Sequence, residues 1–178
     1  MRRPLTMFVV ILASAFLRLS ETGAADEVSA INSALVVLSG NDSHVSTRAY
    51  QRVTSAADWK KTWLDHLGLR QDTICRTAME IDFDRCIVVA VFGGTTWNLC
   101  GFQVDSVRED NDVILVRFID IGYQTAGPDG GGDRVTPYAF IVLPRSDKPI
   151  VLEETIRSLD TRDAPIWKEV ARLGAAKK

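Results

Sequence analysis

The spacing of apolar positions changes character at Met79. Before it, Trp59, Trp63 and Leu67 recur at i, i+4 and i+8, the period of one helix face. Ser55 stands where an N-cap belongs, Asp58 falls in the first turn and Gly68 can close the end. The pattern predicts a helix over residues 55–67 with one apolar face docked on the rest of the protein. Tryptophans at helical spacing are read as core rather than as an aromatic ligand box, because they supply large buried area.

After Met79 the period becomes two. Cys86-Ile87-Val88-Val89-Ala90-Val91-Phe92 is apolar at every position, the mark of a central strand covered on both faces. Gly93 to Asn98 reads as a loop, and Cys100 to Val107 returns with Phe102, Val104 and Val107 as its apolar members, which predicts a hairpin with the preceding strand. Arg108 to Asn111 is a polar turn before the strand Val113 to Ile119. Thr125 to Val135 is a pliable excursion rich in glycine. Tyr138 to Leu143 is another strand, ended by Pro144, and Ile150-Val151-Leu152 is expected to pair back on it. Between those two lies Arg145 to Lys148, read chiefly as a turn between two prolines. Upstream, Ala34 to Leu38 and Val45 to Val53 are strand candidates. Glu80, Asp82 and Asp84 alternate with Ile81 and Phe83 like the solvent face of a strand. Pro165 to Leu173, with Gly174 after it, predicts a short C-terminal helix. The expected class is α+β: an antiparallel β-sheet of hairpins with one packed helix (about 55–67) and a short C-terminal helix (about 165–173).

The first 25 residues stand apart. Met1-Arg2-Arg3 is a positive start, Met7 to Leu17 is an apolar run short for a bilayer, and Gly23-Ala24-Ala25 offers small residues for cleavage. Residues 1–25 are therefore expected to be a secretory signal peptide, and 26–178 a single domain that is secreted or held in the periplasm or cell envelope; an uncleaved N-terminal anchor is the alternative, motivated by Arg18. Loss of residues 1–25 removes Arg2, Arg3, Arg18 and Glu21, so the formal charge moves from −2 to −4. An acidic surface gives no electrostatic reason to bind nucleic acid. No membrane span is expected after signal removal, and oligomeric state is open.

Export changes how the three cysteines are read. In an oxidising compartment two are expected to pair. With Phe92 opposite Cys100 in the predicted hairpin, Cys86 and Cys100 lie about six rungs apart, roughly 20 Å at ~3.4 Å per residue, too far for a bridge. Cys75 is then one partner, with Cys86 preferred and Cys100 the alternative.

Little chemistry is legible. The two histidines, His44 and His66, read as solvent-exposed, the first in a polar turn beside Ser43 and the second near a helix end. "DGGGD" at 129–133 lacks the alternating oxygen ligands of a calcium loop and the lysine of a phosphate loop, so neither metal nor cofactor is expected. Asn41-Asp42-Ser43 fits a glycosylation sequon.

At "EIDFDRCIVVAVFGG", "CGFQVDSV" and "TPYAFIVLPRSDKP" the chain resembles the C-terminal domain family of the bacterial protease complex subunit PrcB, over about residues 80–148. The likeness rests on Asp82-Phe83 before an apolar strand ending in Gly93, on the Gly101-Phe102 step, and on Pro137-Tyr138 through Pro144. Cys100 departs from it, standing where the family commonly has glycine. The resemblance implies a small exported domain associated with assembly or stabilisation of an extracellular protease complex, and it carries over no catalytic residue. The expected function is a non-catalytic module binding another exported protein, with Trp97, Thr96, Asn98, Asp129, Arg134 and Arg145 as contact candidates. The alternative is a small hydrolase whose Cys/His or Ser/His site assembles only in space.

Overall fold

The computed structural model describes residues 29–30, 36–70, 78–125, 131–156 and 164–174. The expected signal peptide, Cys75 and Asp129 lie outside the described residues. In chain order the elements are β1 (Ser29–Ala30), β2 (Val36–Gly40), β3 (Ala49–Val53), α1 (Ala56–Leu67), β4 (Cys86–Phe92), β5 (Thr96–Trp97), β6 (Leu99–Glu109), β7 (Ile114–Gly122), β8 (Arg134–Val135), β9 (Tyr138–Pro144), β10 (Ile150–Ile156) and β11 (Ile166–Leu173).

The strands form a four-stranded sheet ordered β2-β9-β4-β3, a five-stranded sheet ordered β1-β6-β7-β10-β11, and the small β5-β8 ribbon. The four-stranded sheet is the middle layer. In β4, Val88, Ala90 and Phe92 face α1, while Ile87, Val89 and Val91 face the five-stranded sheet. In β9, Tyr138 and Phe140 face α1, and Ala139, Ile141 and Leu143 the other way. An apolar residue at every position is what a strand covered on both faces requires. The second core is completed by Ile114, Val116 and Phe118 of β7 and Ile150 and Leu152 of β10. The mostly-β α+β class and the docked helix thus follow the sequence.

Helix α1 is capped as its sequence demands. Ser55 Oγ accepts from Asp58 N at 3.1 Å, and Gly68, at φ 65°, closes the other end. Trp59 is buried, meets Phe140 edge-on with centroids 5.0 Å apart, and donates from Nε1 to Met79 O at 2.9 Å. It is a core residue, as the sequence reading held.

Several expectations are corrected. The predicted hairpin of β4 with the strand after it does not form: β4 pairs with β9 and β3, and β6 lies in the other sheet beside β7. The intervening loop is long enough to change layers, and β4 needs a neighbour on each edge. Ile150–Leu152 likewise does not pair back on β9 but crosses to the five-stranded sheet, where β10 runs parallel to β7 with Ile150 opposite Ile114. The β6–β7 hairpin forms as expected, antiparallel, with a register shift between Val104 and Ser106 that lets Phe102, Val104 and Val107 all face inward.

The predicted C-terminal helix is the edge strand β11, paired antiparallel to β10. A bulge places Ala171 opposite Leu152 and Glu169 opposite Glu153, so Val170 is the extra residue. That insertion brings Val170, Ala171 and Leu173 onto the core together and produces an apolar spacing that imitates a helix. An open ladder on β10 outweighs a weak helical propensity. Residues 80–84 are not a strand but run irregularly into a turn at 83–85: Asp82 Oδ1 accepts from Asp84 N at 3.0 Å, and Asp82 O from Cys86 N at 2.8 Å. The second strand is shorter than expected, beginning at Ala49.

The two sheets are stitched at both sides. Ser39 Oγ of β2 accepts from Phe102 N of β6 at 2.8 Å and donates to Tyr138 O of β9 at 3.1 Å. On the opposite side, Arg52 of β3 donates to Lys148 O at 2.8 Å, to Gly174 O at 2.9 Å and to Ser146 O. The 145–148 stretch is therefore a turn gripped by Arg52, and Lys148 adds an ion pair to Glu109 at 2.8 Å.

Candidate functional site

Among the described residues two places gather functional groups, and they differ in kind. The first is the β5–β8 ribbon, which stands at the end of the middle sheet where Phe92 and Tyr138 are paired. Its ladder sets Thr96 opposite Val135 and Trp97 opposite Arg134. Asn98, at φ 55°, turns the chain through the left-handed region, which asparagine tolerates better than most residues. Asn98 N donates to Asp133 O at 3.0 Å, Asp133 N donates to Asn98 Oδ1 at 2.7 Å, and Tyr123 N donates to Asn98 O at 2.9 Å. Tyr123 closes the circuit through its hydroxyl to Asp133 Oδ2 at 3.0 Å. On this pinned frame Trp97 is 61% exposed. Its ring lies close over Gly132, where an added Cβ would stand 3.1 Å from Trp97 Cε3.

Of the contact candidates, Trp97, Thr96, Asn98 and Arg134 are thus brought together, with Asn98 acting as a backbone pin. Arg145 is not among them. Phe92 pairs with Tyr138 at the ribbon end while Cys86 pairs with Pro144 at the other, six rungs or roughly 20 Å away. There Arg145 N donates to Arg85 O at 2.7 Å and its guanidinium to Phe83 O. Strand direction, invisible before β4 and β9 were known to be partners, separates it from the ribbon.

At the foot of the ribbon a small cavity of about 50 Å³ is lined by Arg48, Thr96, Asp120 and Glu154 among others. Burial pushes the Glu154 carboxyl up, the hydrogen-bonded Asp120 carboxyl adds to this, and Arg48 opposes it. Arg48 also donates to Tyr50 Oη at 2.6 Å and to Glu154, joining the segment before β3 to β10 across the layers. Nothing in the spacing of these residues along the chain announces the cluster, since its members come from separate strands.

The second place is a cleft of about 650 Å³ at the C-terminal end of α1, lined by His44, Ser46, Gln51, Thr62, Asp65 and Gly68 with others. The two histidines meet beside it. His44 N donates to His66 O at 2.8 Å, and the His44 imidazole rests against Gly68, whose missing Cβ would fall 2.4 Å from His44 Cδ2. His44 is exposed as expected, but His66 is not: it is 4% exposed. Its ring meets Tyr138 at a tilt of 49° with centroids 4.1 Å apart, and lies against Phe140 at 5.2 Å and Trp63 at 5.5 Å; its Nδ1 has no hydrogen-bond partner. The buried helix face runs through Trp59, Thr62 and His66. The i, i+3, i+7 spacing of those residues was the signal available in the sequence, and it competed with the more apolar Trp59-Trp63-Leu67 series. Burial pushes His66 below the ordinary histidine value of 6.5, Asp42 opposes the change and His44 adds to it. Burial also raises Tyr138, with Asp42 contributing.

Among the described residues no thiol lines this cleft, and Ser43, which is buried, accepts from Val45 N at 3.1 Å within its own turn. Cys86 and Cys100 are not bridged to each other. The hairpin that set them apart in the sequence reading is absent, yet they still lie at opposite ends. Cys100 adjoins Gly101, which packs on the backbone of Gly40; Gly40 pairs with Tyr138 at the far end of β9 from Pro144 and Cys86. Among the described residues no group of histidine, cysteine, aspartate and glutamate side chains could hold a metal ion, and no helix is long and apolar enough to cross a membrane. No family model, no curated protein and no solved structure matches the chain.

Proposed function

We propose that the protein is an exported, non-catalytic module that binds another exported protein and stabilises its assembly, in the manner of a protease accessory subunit. Trp97 carries this reading. A tryptophan held mostly in water on a hydrogen-bonded ribbon offers a large, rigid apolar surface at small conformational cost, the character of an interface anchor. Arg134 beside it on the ladder supplies a charged rim. The likeness of residues 80–148 to the PrcB C-terminal domain family supports the same kind of role. In the oxidising compartment that this reading implies, Cys86 pairs with Cys75, and peptide mapping of the non-reduced protein tests that bridge.

The deciding experiment is affinity capture of the tagged, exported protein from its native envelope, compared with Trp97→Ala. The variant is expected to keep wild-type stability to within about 0.5 kcal/mol, as exposed substitutions do, and to lose the partners that the wild type holds. Equal recovery of the same partners by both proteins would remove Trp97 from the interface. Edman sequencing of the exported form is expected to begin at Asp26, and an intact Met1 would instead mean a tethered protein.

A further inference from the structure

His66 occupies a position for which the binding reading has no use. Its imidazole is buried between three aromatic rings, and Nδ1 makes no hydrogen bond, so the ring is held on this side by aromatic packing alone. Its backbone carbonyl receives His44 N, which fastens the segment after β2 to the last turn of α1. The same segment and the same helix end form the two walls of the 650 Å³ cleft, through His44 and Ser46 on one side and Thr62, Asp65 and Gly68 on the other.

We propose that the His44–His66 junction is an acid-operated latch: protonation of His66 expels its ring from the Trp63, Tyr138 and Phe140 cage, frees the C-terminal turn of α1 and opens the cleft. A cation in that position loses its water and gains no acceptor at Nδ1. The charged and titratable groups facing it from the packed elements are Asp42 and His44, from the segment after β2, and Tyr138, from β9. Asp42 favours the cation, whereas His44, once charged, opposes it. The folded state therefore takes up its proton below 6.5, the unfolded or opened state at about that value. The latch is fully closed above the higher of the two and weakens as pH falls through the interval between them.

The test uses the full exported chain, followed from pH 8 to pH 4 by near-ultraviolet circular dichroism, which reads the packed Trp59 and Trp63, and by the proton resonances of the two imidazoles. The expected result is a reversible loss of the tryptophan signal with its midpoint below 6.5, tracking the His66 resonance, while the far-ultraviolet strand signal persists. His66→Phe, which keeps an aromatic plate and removes the titrating nitrogens, is expected to abolish the transition. Should that variant fail to fold, two surface substitutions decide. Asp42→Asn should shift the midpoint to lower pH and His44→Ala to higher pH, each by about half a unit. A transition unchanged in His66→Phe, shifts of the same sign in Asp42→Asn and His44→Ala, or a tryptophan signal constant down to global unfolding would each overturn the latch. None of these outcomes bears on Trp97, so the binding reading stands or falls separately.

Discussion

At the scale of single residues, the constraints lie where two backbones meet. Gly101 sits at φ 142°, and a Cβ there would lie 2.3 Å from Ser39 Oγ and 3.0 Å from Gly40 N. Both the conformation and the space exclude a side chain. In the sequence Gly101 is only the residue before Phe102; its close approach to Ser39 and Gly40 comes from the meeting of β6 with β2. Gly101→Ala is expected to cost about 1–3 kcal/mol from overpacking, with strained backbone added, and to break the Ser39 bridge between Phe102 and Tyr138. A fall in melting temperature measured by calorimetry checks it, and an unchanged value would show that the sheets have room to part at this corner. Trp97 illustrates the opposite case. Its exposure follows from a turn that Asn98 fixes and that no periodicity foretells.

The elements themselves were largely readable, because each carries its own period. Helix α1 begins and ends at Ser55 and Gly68 as its capping residues dictate, and β4 and β9 show uninterrupted apolar runs that only a doubly covered strand needs. The failures are local, and each has its own cause. The bulge at Val170 gave β11 a helix-like pattern, while Asp82 turned an alternating stretch into a bend through bonds to Asp84 N and Cys86 N. The helix is secured to the middle sheet chiefly through Phe140, whose ring meets Trp59 at 5.0 Å, His66 at 5.2 Å and Phe92 at 5.8 Å. Phe140→Ala is expected to destabilise the protein by about 3–5 kcal/mol and to flatten the near-ultraviolet tryptophan signal. Chemical denaturation followed by tryptophan fluorescence reads the first, and near-ultraviolet circular dichroism of the folded variant the second. Leu38, exposed on the adjoining strand and opposite Phe140 in the ladder, provides the control, since Leu38→Ala should change stability far less.

For the whole molecule, layering decides what the parts can do. The chain changes sheets repeatedly: it passes from β4 in the middle layer to β6 in the outer one, returns for β9, and leaves again for β10. These crossings place Arg48 and Glu154, distant in sequence, within one ion pair, and they bring Arg52 to the carbonyls of Ser146, Lys148 and Gly174. Burial lowers the Arg52 guanidinium from its ordinary value, Asp147 opposes the change and Arg145 adds to it, and a guanidinium stays charged in a folded protein. Arg52→Ala strips these acceptors of their donor and is expected to cost about 1–3 kcal/mol. The loss should be concentrated at the seam between β3 and β11. Amide exchange is expected to accelerate in residues 145–149 and 166–173 while the centre of β4 stays protected; uniform acceleration would indicate that the seam is no separate unit of stability.

The sequence by itself determined the local grammar: a capped helix with a tryptophan in the core, a doubly covered central strand, a β6–β7 hairpin and a turn between two prolines. These depend on neighbours along the chain, whose spacing is set by covalent geometry. Only the tertiary structure decided which strands pair, that Arg145 stands a full strand length from Trp97, and that His66 lies in an aromatic cage beside His44. Those outcomes depend on which apolar faces find each other across the layers, and a face that is apolar on both sides of a strand does not specify its partner.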